Sequence, residues 1–282
     1  MSELASEMAV PEAAGGPVPV SRRHPVPDDQ LTWEPSERWV RGTIDRTTVV
    51  DSRHPLLVWE PGRAVPHYVF PRAEVRTDLL EPAEPPAEPG HPGAVAWYDL
   101  VLAGRRYPKL AWAYGGEELG EHIAVDWFRR PGPGVEHWYE EDEEVFVHPR
   151  DPYKRVDPLP SSRHVQVAVG GRVVADTTRP VLLFETRLPI RYYIPPEDVD
   201  FSALEESGLH TACPYKGTAR YWSVKGVPGG DNIVWSYPEP IRAAAPIKNL
   251  LAFYNEVVDI TVDGERLERP VSEFSSRLAS RA

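Results

Sequence analysis

Short runs in which apolar and polar residues alternate fill the second half of the chain, and this pattern is typical of half-buried β-strands. The clearest run, HVQVAVGGRVVAD, alternates on both sides of Gly170 and Gly171. A glycine pair between two such runs predicts a hairpin with a two-residue turn. VLLFE and RYYI follow as strands around a turn at Pro189, and GTARYWSVKG with DNIVWSY predicts another hairpin.

One segment, APIKNLLAFYNE, has the spacing of an α-helix instead. Its apolar residues Ile247, Leu250, Leu251 and Tyr254 stand at i, i+3, i+4 and i+7, which share one helical face. The sequence therefore predicts a mainly β fold. Two small antiparallel sheets would pack face to face, with one short helix.

The same pattern occurs twice, about 125 residues apart. Without gaps, Arg38–Pro71 and Arg163–Pro196 are identical at nine of 34 positions, and a period of this length indicates a duplicated domain. The most informative matches are Asp51 with Asp176, Pro55 with Pro180, Glu60 with Glu185 and Tyr68 with Tyr193. We predict a flexible N-terminal arm (residues 1–30), a first repeat (31–157), a second repeat (163–270) and a C-terminal tail (271–282).

Composition narrows the partners and the compartment. The net charge of −12 disfavours nucleic acid, because phosphate binding needs a basic face. No run of about 18 apolar residues is present, so no membrane partner is expected. A single cysteine excludes an intrachain disulfide and favours a reducing cytoplasm. The histidines are scattered and no phosphate-binding glycine motif occurs, so we expect neither a metal nor a cofactor. The oligomeric state is left open.

Several segments resemble a bacterial and fungal family of domains of unknown function, number 427. In the second repeat the resemblance lies in RPVLLFET, RYYIPPEDV, ACPYKGTARYW, NIVWSYPEPI and IKNLLAFYNEVVDITVDGE. The first repeat matches more loosely, through VDSRHPLLVWEP, HYVFP and LAWAY. The resemblance implies that each repeat is a β-tent domain, in which two antiparallel sheets join at one edge and splay at the other. It implies a fold and no activity.

The CPYKG segment holds the only cysteine, Cys213, and one of the five lysines, Lys216. An ammonium near the thiol would lower its pKa and make Cys213 a candidate catalytic nucleophile. The alternative is that Cys213 is a small buried residue. Lys216 is either a contact for an anionic ligand or a side chain whose stem covers Tyr215 or Trp222. We expect a ligand contact that faces water in the empty protein.

Aromatic residues around this segment predict the walls of a small-molecule site. Tyr221 and Trp222 cannot both face inward, because neighbours on a strand point to opposite faces. The predicted ligand-binding residues are Tyr193, Trp222, Trp235 and Tyr237 as walls, Tyr215 beside them, and Lys216, Glu185 and Arg191 as polar contacts. Glu185 ends an apolar strand and needs a partner, for which Lys216 and Arg191 are candidates.

These residues predict that the second repeat binds a small anionic or amide-bearing molecule. In the first repeat Pro89, Gly90, His91 and Pro92 stand opposite Cys213 to Lys216, so thiol, phenol and ammonium are absent there. That repeat is then a scaffold or one wall of the site. Two alternatives remain. One is an enzyme with a nucleophilic or redox Cys213, which would need an external thiol for a redox cycle. The other is a purely structural or interaction domain.

Overall fold

The computed structural model describes residues 30–63, 65–88, 90–127, 134–272 and 274–279. The predicted arm at 1–30 lies outside these ranges except for Gln30. The described chain is mainly β, as the alternating pattern predicted, and its strands form antiparallel sheets. None of the described helices is long and apolar enough to cross a membrane.

The first repeat forms a seven-stranded and a four-stranded antiparallel sheet. Its strands are β1 (Thr32–Pro35), β2 (Val40–Ile44), β3 (Thr47–Ser52), β4 (Leu56–Trp59), β5 (His67–Pro71), β6 (Leu80–Ala83), β7 (Ala94–Leu102), β8 (Arg105–Tyr114), β9 (His122–Val125), β10 (His137–Glu140) and β11 (Glu143–Glu144). The seven-stranded order is β1-β4-β5-β9-β8-β7-β6, and the four-stranded order is β11-β10-β2-β3. Short 3₁₀ helices at Arg72–Glu74 and Thr77–Leu79 connect β5 to β6.

The second repeat contains the remaining strands. They are β12 (Val156–Pro160), β13 (Val165–Val169), β14 (Arg172–Thr177), β15 (Val181–Glu185), β16 (Arg191–Tyr193), β17 (Leu204–Cys213), β18 (Gly217–Val224), β19 (Val234–Ser236), β20 (Leu251–Phe253), β21 (Asp259–Val262) and β22 (Glu265–Arg266). Their sheets are β12-β15-β16, β17-β18-β19-β20 and β14-β13-β21-β22. A bridge between Ile194 and Leu251 joins the first two into one row. The 3₁₀ helices are Pro196–Asp198, Phe201–Ala203 and Arg242–Ile247.

The two halves share one topology. The row β12-β15-β16-β20-β19-β18-β17 repeats the order of the seven-stranded sheet, and β22-β21-β13-β14 repeats the four-stranded one. The register of the first hairpin shifts at Gly42–Thr43 in one half and at Val167–Ala168 in the other. A bulge at the same place in both hairpins is a feature that duplicated domains are expected to share.

The predicted match of Tyr68 with Tyr193 is wrong. Leu56 pairs with Val69 in the first repeat, and its counterpart Val181 pairs with Tyr193 in the second. Tyr193 therefore corresponds to Val69, because the turn before β16 is one residue shorter than the turn before β5. Since neighbours on a strand point to opposite faces, a shift of one residue decides which side chains share a face.

Strand β12 begins before residue 163, the predicted start of the second repeat. It pairs with β15 from Val156 opposite Glu185 to Pro160 opposite Val181, as β1 pairs with β4. This pairing brings Lys154, two residues before β12, to the end of β15. The segment between the repeats thus contributes a charged side chain beside Glu185.

The predicted helix at APIKNLLAFYNE is wrong. Only its first residues belong to a 3₁₀ helix, Arg242–Ile247, and Leu251–Phe253 is the strand β20. This strand lies between β16 and β19, and all three of its residues are buried. A strand buried on both faces is a continuous apolar run, which periodicity alone cannot distinguish from a helix.

The tail carries the one α-helix among the described residues, α1 (Ser275–Ala279). Its Leu278 is buried in the core of the second repeat. Just before it, Phe274 packs against Tyr254 with ring centroids 5.8 Å apart. The described part of the tail therefore covers the second repeat.

Both faces of the seven-stranded sheet bury apolar side chains. One face packs in the core of the first repeat with β2, β3 and β10. The other carries a second cluster, consisting of Val58, Val69, Trp97, Trp112, Tyr114, Leu119 and Ala124. The equivalent face of the second repeat carries Tyr193, Tyr221, Trp235 and Tyr237, and these side chains line a cleft.

Gly217 starts β18 with a φ of +103°, and a Cβ there would lie 2.9 Å from the carbonyl oxygen of Glu239. We predict that Gly217→Ala lowers the free energy of unfolding by about 2 kcal/mol or more, through both the positive φ and the contact. Gly264→Ala is the matched control, because its φ is +85° and its Cβ would meet nothing within 4 Å. Urea unfolding of both variants measures the difference. Equal losses would contradict the close approach.

Candidate functional site

The CPYKG turn, between β17 and β18, lies against the segment that joins the two repeats. A cleft of about 400 Å³ opens beside it. The first half of the chain and the connecting segment contribute Val65, Val147, His148, Asp151 and Lys154 to its lining. The second repeat contributes the rest, among them Glu185, Arg191, Tyr193, Cys213, Tyr215, Lys216, Tyr221, Trp235, Tyr237, Tyr254 and Phe274.

Glu185 is the buried carboxylate of this cleft, and two lysines neutralise it. The Lys216 ammonium donates a hydrogen bond to Oε2. Lys154 Nζ lies 3.4 Å from Oε1 and also donates to the Thr186 carbonyl at 2.9 Å. The Glu185 side chain is only 3% exposed, so its charge requires such partners.

The expectation that Lys216 faces water in the empty protein is wrong. Its side chain is 12% exposed and its ammonium is paired with Glu185. Of the two partners predicted for Glu185, Lys216 is therefore the correct one. Lys216 points inward because Glu185, at the buried end of β15, is a carboxylate that requires a positively charged partner.

Arg191 has a different partner from the one considered for it. Its guanidinium forms two parallel hydrogen bonds with Glu256, both of 2.7 Å, and a third with Asn255 Oδ1 at 3.1 Å. Burial raises the pKa of Glu256, but the hydrogen bonds from Arg191 and Ser272 outweigh it and hold that pKa below its ordinary value. Arg191 also lies 5.6 Å from the Trp235 ring centroid. It thus fixes one end of the cleft.

Three of the predicted wall residues meet in the cleft. Trp235 Nε1 donates to Tyr193 Oη at 3.1 Å, and the Trp235 and Tyr254 rings are 4.5 Å apart. Tyr237 lies in the same lining at 5% exposure. Burial raises the pKa of Tyr193 and of Tyr237 above the ordinary value, so both of these phenols are neutral.

Trp222 was predicted as a wall and lies elsewhere. It is buried on the opposite face of β18, where Phe201 packs edge-on against it at 6.5 Å. Its neighbour Tyr221 faces the cleft instead and shares a 2.8 Å hydrogen bond with Thr211. Because neighbouring side chains on a strand point to opposite faces, only one of Tyr221 and Trp222 can face the cleft, and in β18 it is Tyr221.

Tyr215 and Cys213 complete the wall at the turn. Tyr215 Oη accepts a 2.7 Å hydrogen bond from the Asp151 backbone N–H, and its ring lies 5.7 Å from that of His148. Arg150 Nε donates to the Pro214 carbonyl at 3.0 Å. These contacts tie the turn to the connecting segment. Cys213 is partly exposed and lines the cleft, while the Lys216 ammonium nearby binds Glu185.

The charge of the lining is opposite to that of the chain. Four cationic side chains and two anionic ones line the cleft among the described residues, and the whole chain carries −12. The cations are Lys154, Arg187, Arg191 and Lys216, and the anions are Asp151 and Glu185. Arg191 is paired with Glu256, so the excess of positive charge is one, and it favours an anion over a cation at this site.

The first repeat carries a closed counterpart of this site, which the sequence interpretation missed. Glu60 corresponds to Glu185 and is bound by Arg63 Nε at 2.7 Å, His91 Nδ1 at 3.0 Å and Tyr114 Oη at 2.6 Å. The His91 ring stacks on Trp112, with centroids 3.6 Å apart. Glu60, His67, His91, Trp112 and Tyr114 are all buried. The sequence did contain an indication of this cluster, because Glu60, His67 and His91 occur in the same repeat. The alignment of the repeats placed His91 opposite Tyr215, and His91 was taken only as the loss of the phenol.

Hydrogen-bond direction in this buried cluster follows from the groups present. Burial raises the pKa of Glu60, but hydrogen bonds and nearby imidazoles outweigh it and hold the pKa below the ordinary value, so Glu60 is a carboxylate and accepts. The Tyr114 phenol donates its proton to Glu60, and the phenol oxygen of Tyr114 accepts a hydrogen bond from His67 Nε2 at 2.6 Å. His67 therefore carries a proton on Nε2. Burial lowers its pKa to about 4, so the imidazole is neutral at pH 7.

Comparison with protein-family models shows the family of this chain. A family model described as a domain of unknown function (DUF427) matches the chain twice, at residues 32–124 and 157–264. No curated protein matches the chain. The two matched segments fall on the two halves that share one topology.

Lys216→Met keeps most of the stem and removes the charge from Glu185. We predict a loss of about 2 kcal/mol in the free energy of unfolding, smaller than for a carboxylate left with no partner, because Lys154 remains. Lys248→Met, at an exposed lysine, is the control and should change stability by less than about 0.5 kcal/mol. Adding Glu185→Gln to Lys216→Met should recover part of the loss. Chemical denaturation checks all three, and a Lys216→Met variant as stable as the control would contradict the ion pair.

His67 predicts a pH dependence. Its pKa is about 4 when folded and 6.5 as the ordinary value, so the unfolded chain binds a proton first as the pH falls. Stability is complete above pH 6.5 and is lost between pH 6.5 and 4, by up to about 3 kcal/mol. His67→Gln can still donate to Tyr114 and does not titrate. Urea unfolding between pH 7.5 and 4 should show a steeper loss for the wild type than for this variant, and parallel curves would refute the assignment.

Proposed function

The chain belongs to the DUF427 family of domains of unknown function, and from the geometry of the cleft we propose that it binds a small anionic or amide-bearing molecule at the contact between its repeats. The carboxylate or amide oxygen of this ligand is held by the cationic side chains and by the Tyr237 phenol. The aromatic rings of Tyr193, Tyr221 and Trp235 surround its apolar part.

The observation that carries the proposal is the Tyr237 phenol. It lies in the lining at 5% exposure and has no hydrogen-bond partner among the residues that the structure describes. The hydroxyl of a lining residue that makes no hydrogen bond within the described protein can donate to an acceptor atom of a ligand.

The size and the sign of the cleft support the same function. About 400 Å³ is within the range of small-molecule sites, which are mostly apolar with a few placed polar groups. The Lys216 ammonium has three N–H donors, of which one serves Glu185, so others remain for a ligand. A cytoplasmic location belongs to this proposal, because the chain has one cysteine and no possible intrachain disulfide.

No contact among the described residues favours the Cys213 enzyme. The ammonium that was expected to activate the thiol is bound to Glu185. The structural or interaction domain likewise has no observation in its favour over the cleft. Both alternatives stay predictions.

Benzoate and benzamide test the proposal, since they differ only in carboxylate against amide. We expect one or both to raise the Tm of the full chain, because a ligand that binds only the folded state adds about 2.7 kcal/mol at about 100 times its Kd. Tyr237→Phe should weaken that binding about tenfold through the lost hydrogen bond.

Tyr107→Phe is the matched control. Tyr107 is a buried phenol without a partner among the described residues, and it lies in the core of the first repeat, away from the cleft. Tyr107→Phe should leave ligand binding unchanged and should be at least as stable as the wild type. Binding that is unchanged in Tyr237→Phe, or no shift with either compound in the wild type, would overturn the proposal.

A further inference from the structure

The closed site of the first repeat shows which chemical group fits the open site of the second. Four positions correspond through strand pairing and topology. They are Glu60 with Glu185, Trp97 with Tyr221, Trp112 with Trp235, and Tyr114 with Tyr237. In the first repeat Glu60, Trp97 and Trp112 contact an imidazole ring, that of His91, and Tyr114 donates to the same Glu60.

The fifth position explains why one site is closed and the other open. His91 stands two residues before Gly93, and Tyr215 stands two residues before Gly217. Both glycines have positive φ, +85° and +103°. His91 turns inward onto Trp112, whereas Tyr215 reaches outward to the Asp151 N–H. The ring position over Trp235 is thereby left to the cleft.

The contacts of His91 define what that position accepts. Its ring is nearly parallel to Trp112, with a centroid distance of 3.6 Å and an angle of 17°. Its Nδ1 is 3.0 and 3.1 Å from the two oxygens of Glu60 and donates to that carboxylate. In the second repeat the nearest ring to Trp235 is Tyr254, tilted by 45° at 4.5 Å. No described ring lies parallel on Trp235, and the Tyr237 phenol lacks the bond that Tyr114 makes to Glu60.

We propose that the ligand of the cleft carries a five-membered N–H azole ring of the imidazole type together with a carboxylate. The ring lies on Trp235 and donates its N–H to Glu185, as His91 does to Glu60. The carboxylate accepts from the Tyr237 phenol and from the ammonium groups of Lys154 and Lys216. This assignment rests on the proposed function and names the chemical class of its ligand.

The acceptor at Glu185 favours an azole over a carbocycle. Glu185 is buried, and a planar N–H donor satisfies its remaining lone pairs without bringing a second positive charge next to the two lysines. A neutral azole with a carboxylate also fits the excess of cations in the lining. A cationic azole without a carboxylate does not.

Imidazole-4-acetate and cyclopentylacetate test the assignment by calorimetric titration of the full chain. They share the carboxylate and the ring size, and only the first has an N–H. We expect imidazole-4-acetate to bind the wild type at least tenfold more tightly, as one hydrogen bond to a charged group supplies. In Glu185→Gln the ratio should fall below about threefold. The ratio of the two affinities is measured because Glu185→Gln also releases Lys154 and Lys216 from Glu185, which strengthens the binding of both carboxylates equally.

The first repeat provides a second test that does not depend on the Glu185 variant. His91→Ala removes the ring from Trp112, and free imidazole should raise the Tm of this variant more than that of the wild type. Cyclopentane should not. An equal shift in the variant and the wild type would overturn the correspondence between the two sites.

The outcomes separate the assignment from the function beneath it. Equal affinity for the two acetates would overturn the azole and leave the anion site standing. Benzoate binding without any binding of imidazole-4-acetate would do the same. Failure of all three carboxylates and of benzamide would overturn both proposals.

Discussion

A carboxylate buried at the end of the second strand of the main sheet is the constraint on which both repeats depend. Glu60 and Glu185 stand at equivalent positions, directly at the end of apolar strands, and their side chains are 0% and 3% exposed. An ionised group cannot remain there without partners, since the loss of hydration costs several kcal/mol. Each repeat must therefore direct cations or donors to this point, and the surrounding loops are shaped by that requirement.

The two repeats meet the requirement with different residues. The first uses Arg63, His91 and Tyr114, all from within the repeat, and the result is a closed, buried cluster. The second uses Lys216 from the CPYKG turn and Lys154 from the connecting segment. Tyr215, at the position of His91, binds the Asp151 N–H instead, and Trp235 lines the cleft. The same constraint thus gives a packed core in one half and an open cleft in the other.

The sequence predicted most of the strands, because alternation, glycine-pair turns and proline punctuation are local signals. It failed at β20, whose apolar run is buried on both faces and mimics the spacing of a helix. It also failed at Trp222. Alternation along a strand shows that Tyr221 and Trp222 face opposite sides, but only the packing of the sheet decides that Tyr221 faces the cleft. Simple electrostatics predicted that Glu185 needs a cationic partner, but left Lys216 and Arg191 as alternatives and did not exclude a Lys216 that faces water. The role of Lys154 was not predicted, because it depends on β12 pairing with β15 across a predicted boundary.

The hydrogen bond from the Asp151 N–H to Tyr215 makes the cleft depend on both repeats. It joins the turn of one repeat to the segment that follows the other, and Lys154 and His148 line the cleft from the same segment. A gene fragment that encodes the second repeat alone would lose these walls, although its sheets would be complete. The cleft is therefore a property of the tandem pair and not of either repeat alone.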